Sequence, residues 1–172
     1  FLLIFFHSNI SSEEVPQYNP DDQGVLSIMY HRFEENKYPS TNIRMNIFLE
    51  HIAAIKNNGF EFYSPKLFSE EFDKSKDNKK ILLTIDDAFL SFYENAWPIL
   101  KKNEIPFILF VSTEPIGKKG YMTWEQIKEI EKEKFAFIGN HSHTHEYLIK
   151  FSFSDFKSDI NKSIKIFKKN LG

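Results

Sequence analysis

The chain has 172 residues, 22 Lys+Arg against 24 Asp+Glu for a formal net charge of −2, 41% hydrophobic residues and no cysteine. That length fits one domain at about 150 residues per domain, and the composition is that of a globular chain, not a disordered one. The near-zero charge excludes a whole-protein footprint for nucleic acid or an acidic membrane surface. Without cysteine there is no disulfide, thiolate ligand or cysteine nucleophile, so any metal must be held by His, Asp or Glu. Lysine occurs 20 times, phenylalanine 19 times and arginine only twice, a bias toward AT-rich codons.

The chain opens on Phe1 and the apolar run Phe1–Phe6, which is too short for a bilayer, since a span needs about 20 residues. The run reads as the end of a signal-peptide apolar region, followed by a polar linker to residue 24. Residues 25–30 read as a strand. Asn46 is placed to cap a helix whose apolar positions Phe48, Ile52 and Ile55 share a face and whose stop is Gly59. Residues 60–63 read as a short strand, and Asp73 to Lys80 as a charged loop. Ile81 to Ile85 is a continuous apolar run, as expected for a strand buried on both faces. A helical pattern from Phe89 to Leu100 is interrupted by Pro98, so regular helix is expected only from about Asn95. Ile105 to Val111 is a second buried strand, Thr123 to Gln126 is a capping box, and Phe135 to Ile138 is a strand. A last helix from Ser154 places Phe156, Ile160, Ile164 and Phe167 on one face. Its lysines, with Asp155 and Asp159 among them, read as a solvated face and not as a site for an anionic partner.

Alternating strands and helices imply parallel strands with crossover helices. The expected class is α/β, an incomplete (β/α) barrel, because a closed one takes about 200–250 residues. The start at Phe1 and the stop at Gly172 suggest a chain cut at both ends.

Two segments carry the chemistry. Thr84-Ile85-Asp86-Asp87 leaves one buried strand, and Asn140-His141-Ser142-His143-Thr144-His145 leaves another. In parallel α/β folds, sites lie at the carboxyl ends of strands, so both segments fall on one rim. Adjacent carboxylates repel and raise each other's pKa, and a divalent cation would relieve this. His141 and His145 are four residues apart, a spacing at which one helical turn would put both imidazoles on one face. Two imidazoles and a carboxylate leave coordination positions open, as catalytic metal sites do. His143, between them, should point elsewhere.

The chain resembles the polysaccharide deacetylase family, the NodB-homology domain of carbohydrate esterase family four. The family's Thr-x-Asp-Asp tetrad matches Thr84-Ile85-Asp86-Asp87, and its His-[Ser/Thr]-x-x-His motif matches His141-Ser142-x-x-His145. The strand at Ile105 to Val111 is also similar to the family's, and the likeness runs over residues 25 to 171 of an expected domain at 25–172. It implies a metal-dependent hydrolase that removes the N-acetyl group of an amino-sugar polymer or oligomer: chitooligosaccharide, poly-N-acetylglucosamine or peptidoglycan. Asp86 would be the general base. Asp87, His141 and His145 would hold one divalent ion, zinc by default with cobalt or nickel as alternatives. Tyr30-His31 resembles a pair in the branch acting on exported N-acetylglucosamine polymers, so His31, Thr84 and Asn140 are candidates for substrate contact or for supporting the site.

Ala88 stands where the family usually has glycine, and Glu146 where proline is common. The family's later motifs, with a base-orienting arginine and a general-acid histidine, have no counterpart in these residues. The alternative is therefore a carbohydrate-binding domain of the same fold without turnover. The expected partner is an N-acetylated polysaccharide, with no nucleic acid and no transmembrane helix. The expected location is exported: periplasmic, extracellular or at the cell envelope.

Overall fold

The computed structural model describes residues 25–69 and 79–172. The leader remnant and linker expected over residues 1–24, and most of the charged loop from Asp73, lie outside the described residues.

The sheet is built on β5 (Lys80–Asp86), whose residues from Ile81 onward are all buried. β1 (Val25–Tyr30) pairs with it in parallel along its length, from Val25 opposite Lys80 to Tyr30 opposite Ile85. The short β4 (Glu61–Phe62) pairs with its first two residues, and β6 (Phe107–Val111) with its last part, Leu83 to Asp86. β7 (Ala136–Asn140) then adds to β6, giving the order β1-β5-β6-β7 with every pairing parallel. The fold is thus a parallel α/β sheet with crossover helices. Among the described residues β1 and β7 each have one neighbour, so these strands do not close on themselves. Two short strands that no sequence pattern announces, β2 (Arg32–Phe33) and β3 (Asn42–Ile43), form a small separate parallel ladder after β1.

Helix α1 (Met45–Asn57) buries Phe48, Ile52 and Ile55, as their spacing implies, and Gly59 follows it in a left-handed turn at φ 73°. Asn46 is not its cap. The N-cap position is Arg44, whose side chain makes no capping bond; the Glu34 carboxylate instead accepts from the Met45 N–H and pairs with Arg44. A carboxylate brought in from an earlier loop replaces the local side chain that sequence reading looks for.

Pro98 is accommodated by a π-turn over Phe92–Ala96, closed by Trp97 N–H to the Phe92 carbonyl, before α2 (Trp97–Lys102) takes Pro98 in its first turn. A proline ring clashes with the carbonyl four residues back in a continuous α-helix, and the wider turn moves that carbonyl away. Helix α3 (Trp124–Glu131) has the full capping box, with Gln126 N–H donating to Thr123 Oγ1 at 3.3 Å and Thr123 N–H to Gln126 Oε1 at 2.8 Å. Helix α4 (Phe153–Leu171) begins two residues after Phe151, capped by Ser152 and not from Ser154.

The apolar face of α4 is covered only in part: Phe167 packs edge to face on Trp124 and against the core. Phe156 and Ile164 remain 41% and 40% exposed, and the helix's buried residues are Asp159 and Ser163. The core lies between the sheet and α1, α2 and α3. Phe33, Phe48, Phe92 and Phe107 are fully buried there, with Phe33 and Phe48 edge to face at 5.2 Å. Such aromatic pairs add about 0.5–1.5 kcal/mol beyond the area they bury.

Candidate metal and catalytic site

The sheet register sets the site. Asp86 of β5 lies opposite Phe110 of β6, and Phe110 lies opposite Gly139 of β7. Asp86, Phe110 and Gly139 therefore form one row at the carboxyl rim, and Asp87 and His141 emerge just beyond it. β7 runs two residues past the expected strand and delivers His141 directly from Asn140. The strand ladder continues into the loops: His141 N–H donates to the Val111 carbonyl at 3.0 Å, and Thr113 and Glu114 N–H donate to the Ser142 and His143 carbonyls.

The two segments meet. His145 Nε2 lies 3.0 Å and His141 Nε2 3.6 Å from Asp87 Oδ1, and the two rings are 5.0 Å apart. His141 Nε2 is also 3.8 Å from Asp86 Oδ2. One ligand atom from each of Asp87, His141 and His145 falls within 4.8 Å of the others. The loop from His141 to His145 is not the helical turn that its spacing suggested. Left-handed residues at Ser142 (φ 69°) and His145 (φ 59°) fold it back on itself and bring the rings together.

The residues fit a small divalent cation. Asp86 and Asp87 are each only 7% exposed, and the Oδ1 atom of each is buried without a hydrogen-bond partner. Such orphaned carboxylate oxygens are costly. The Asp87–histidine approaches lack hydrogen-bond geometry, so the donor atoms converge on a shared point instead of pairing with one another. Ligands at about 2.0–2.2 Å in tetrahedral geometry lie about 3.4 Å apart, the range seen here. The site is open on the histidine side, where the His145 side chain is 51% exposed.

Asp86 ends β5 with its neighbours already arranged. Burial, the largest influence, pushes its carboxyl up; the His141 and His31 charges pull it down, Asp87 pushes it up, and the net direction is upward. His31, in the turn between β1 and β2, is thus within electrostatic reach of Asp86. Thr84 is buried on β5 two residues earlier, on the same face as Asp86. Asn140 faces away from the carboxylates: its Nδ2 donates to Ser163 Oγ at 2.8 Å and its Oδ1 accepts from Ser142 N–H at 2.9 Å. His143 is buried against Thr113, Nδ1 to Oγ1 at 2.8 Å, and takes no part in the cluster.

The turn after β5 explains a departure noted above. Asp87 and Ala88 both have left-handed backbone, at φ 73° and 55°. A glycine adopts this conformation freely, whereas an alanine costs about 1–2 kcal/mol. The turn exposes Asp87 to the histidines and holds Ala88 against Met122, whose N–H donates to the Ala88 carbonyl at 3.0 Å.

Sequence reasoning missed Arg32 as a wall of the site. Its guanidinium lies 3.4 Å over the Phe89 ring and 4.4 Å over Tyr38, and Glu35 holds it at 3.1 Å. With Asp87, Phe89, Ser112, Tyr121 and His145 it lines a cavity of about 260 Å³ beside the cluster. The position of Arg32, directly after the Tyr30-His31 pair at the exit of β1, was the available signal.

A parallel α/β sheet with two carboxylates and two histidines converging at its carboxyl rim defines a class: an α/β protein with a candidate metal site of one aspartate and two histidines beside a second buried aspartate. The family model for polysaccharide deacetylases matches residues 73–172, and the chain belongs to that family. Among curated proteins it is 30% identical to YxkH of Bacillus subtilis (strain 168) over 123 residues, 70% of this chain and 42% of that one. It is 25% identical to the poly-β-1,6-N-acetyl-D-glucosamine N-deacetylase of Staphylococcus aureus (strain MSSA476), over 87% of this chain and 61% of that one. The chain thus spans about two fifths to three fifths of the length of these relatives. Among solved structures, IcaB from Ammonifex degensii superposes with a TM-score of 0.74 at 26% identity, covering 87% of this chain and 71% of that one.

Proposed function

We propose that this chain carries the metal-binding and base half of a carbohydrate N-deacetylase, which hydrolyses the acetamide of an N-acetylglucosamine polymer or oligomer to acetate and a free amine. One observation carries the reading: the buried, unpartnered Asp87 Oδ1 faces two histidine nitrogens at 3.0 and 3.6 Å, with a second buried carboxylate beside it. The substrate class is supported by the similarity to the S. aureus enzyme, whose name specifies poly-β-1,6-N-acetyl-D-glucosamine.

Asp87, His141 and His145 would hold one divalent ion, with zinc favoured by the nitrogen–oxygen donor set and cobalt or nickel acceptable. When bound, such an ion polarises an amide carbonyl and lowers the pKa of water. Asp86 is the general base in this reading. It stands at the cluster without being needed as a ligand, and a carboxyl pushed upward by burial is better matched to taking a proton near neutral pH. The proton passes from water to Asp86 as the new C–O bond forms; the amine must take up a proton as the C–N bond breaks, and the general acid that would deliver it is not among the residues assigned to the site. The cavity bounded by Arg32, Phe89 and Tyr121 adjoins the cluster and offers aromatic and charged walls to a sugar ring.

An exported location fits this reading, since such polymers lie outside the cytoplasm. Among the described residues no helix is long and apolar enough to cross a membrane.

The test is metal content together with acetate release from N-acetylglucosamine oligomers by the full-length gene product. Asp86→Asn is expected to keep its metal and lose about 10²–10⁴-fold in kcat, the usual contribution of a positioned base. An active metal-free protein, or a fully active Asp86→Asn, overturns the proposal. Oligomer binding by a metal-loaded protein without any acetate release supports the binding-domain alternative instead.

A further inference from the structure

We infer that Asp159 is the positioning residue of the histidine loop, and that α4 serves as the scaffold on which the proposed metal cluster is set. The inference rests on the reading of Asp87, His141 and His145 as ligands, but its structural half can be tested without metal.

Among the described residues of α4, Asp159 and Ser163 are the buried ones, at 6% and 0% exposure. They are four apart and so share a helix face. That face points into the loop. Asp159 Oδ1 accepts from His143 N–H at 2.7 Å, and Oδ2 accepts from Thr144 N–H at 3.0 Å and from Thr144 Oγ1 at 2.7 Å. Ser163 Oγ accepts from Asn140 Nδ2, whose Oδ1 in turn holds Ser142 N–H.

With these bonds, each of five consecutive backbone donors has a partner. His141 N–H goes to the Val111 carbonyl, Ser142 to Asn140, His143 and Thr144 to Asp159, and His145 to Ser142 Oγ at 3.2 Å. Successive N–H groups in such a turn form a concavity suited to an anion, and here the Asp159 carboxylate fills it. The loop needs that support. It contains no glycine, yet Ser142 and His145 are held in left-handed backbone at φ 69° and 59°. Such conformations persist only where the surroundings over-determine them. His145 gets its ring to Asp87 by means of this turn.

The hydrogen bonds of Asp159 go to the loop backbone and the Thr144 hydroxyl and not to the ring of His141 or His145, so its role is positional. The experiment compares the parent chain with Asp159→Asn, which keeps the volume but presents an amide to donors, and with Thr144→Val, which removes the hydroxyl's short bond to Asp159 and its long one from Glu146 N–H while keeping the Thr144 backbone bond. Proton NMR on the metal-free proteins reads the His141–His145 ring-to-ring NOE expected from their 5.0 Å separation. A cobalt(II) titration reads affinity at a temperature where every variant is folded. The expected result for Asp159→Asn is loss of the NOE and about 10-fold weaker cobalt binding, in the range for outer-shell partners of ligands. Thr144→Val should show a smaller loss of both. A residue that only stabilised the fold would lower the melting temperature and leave both readouts unchanged. Asp159→Asn with its NOE intact and cobalt affinity within twofold of the parent overturns the inference. If Asp159→Asn does not fold, an unchanged Thr144→Val overturns it. A parent chain that binds no cobalt refutes the metal reading, and the NOE comparison still decides the positioning role.

Discussion

At the residue scale, two buried aspartates show opposite uses of the same side chain. Asp86 has a buried oxygen without a partner and a carboxyl pushed up by burial. Asp159 is as deeply placed. Burial pulls its carboxyl up, but the bonds from His143 N–H and from the Thr144 hydroxyl and N–H, together with the His143 charge, outweigh it and hold the pKa below the ordinary value. A depressed pKa means that the folded state holds fewer protons than the unfolded one between the two values. The stabilisation from Asp159 is therefore complete above the unfolded value of about 3.9 and is lost as pH falls through the lower folded one. Thermal melts of parent and Asp159→Asn should differ most near neutral pH and converge in acid below that window. A melting difference that stays constant from neutral pH down into that acid range would contradict this assignment. The tetrad and the histidine pair were legible in the sequence because chemistry of that kind needs particular residue types at short spacing. Asp159 was not legible. Its partners are backbone donors of a loop about fifteen residues earlier, and in sequence it is one acid among helix lysines.

At the element scale, the strands and the capping box of α3 were readable because their signals are local: apolar runs, and a Thr and a Gln three apart. The start of α1 and the turn before α2 were not. Glu34 caps α1 across the chain, and Pro98 forces a π-turn whose register no periodic pattern announces. β7 shows how one residue's size couples an element to the site. A methyl group on Gly139 would sit 2.5 Å from Phe110 Cδ1 and 2.6 Å from Cε1. Phe110 is only partly buried, so the ring can swing away, but it lies 6.1 Å from the His141 ring and supports it. Gly139→Ala is therefore expected to cost about 1–3 kcal/mol, as overpacking usually does, and to weaken metal binding as well. Denaturant unfolding and a cobalt titration check the two effects. An Ala variant as stable as the parent would mean that the row Asp86-Phe110-Gly139 is looser than its register implies.

At the scale of the whole molecule, the parallel order β1-β5-β6-β7 brings the carboxyl ends of β5 and β7 to one rim, although one strand separates them. Strand–helix alternation made that much readable, since parallel strands need crossovers. The distribution of apolar surface was less readable, because a run of apolar residues does not say which neighbour covers it. Leu26 and Met29 of β1 are 61% and 58% exposed, and Ile149 and Phe153, leading into α4, are 81% and 80% exposed. Among the described residues β1 has β5 as its one partner, so its outer edge offers unpaired backbone donors and acceptors next to apolar side chains. An edge of that kind pairs readily with another strand, and nature blunts such edges with charge. The chain expressed as these 172 residues is accordingly expected to self-associate. Light scattering coupled to size exclusion should give an apparent mass that rises with loading concentration, and Leu26→Lys, at an exposed position near the start of the edge strand, should reduce the rise while leaving cobalt affinity unchanged. A concentration-independent monomer would show that this surface is already satisfied within the chain.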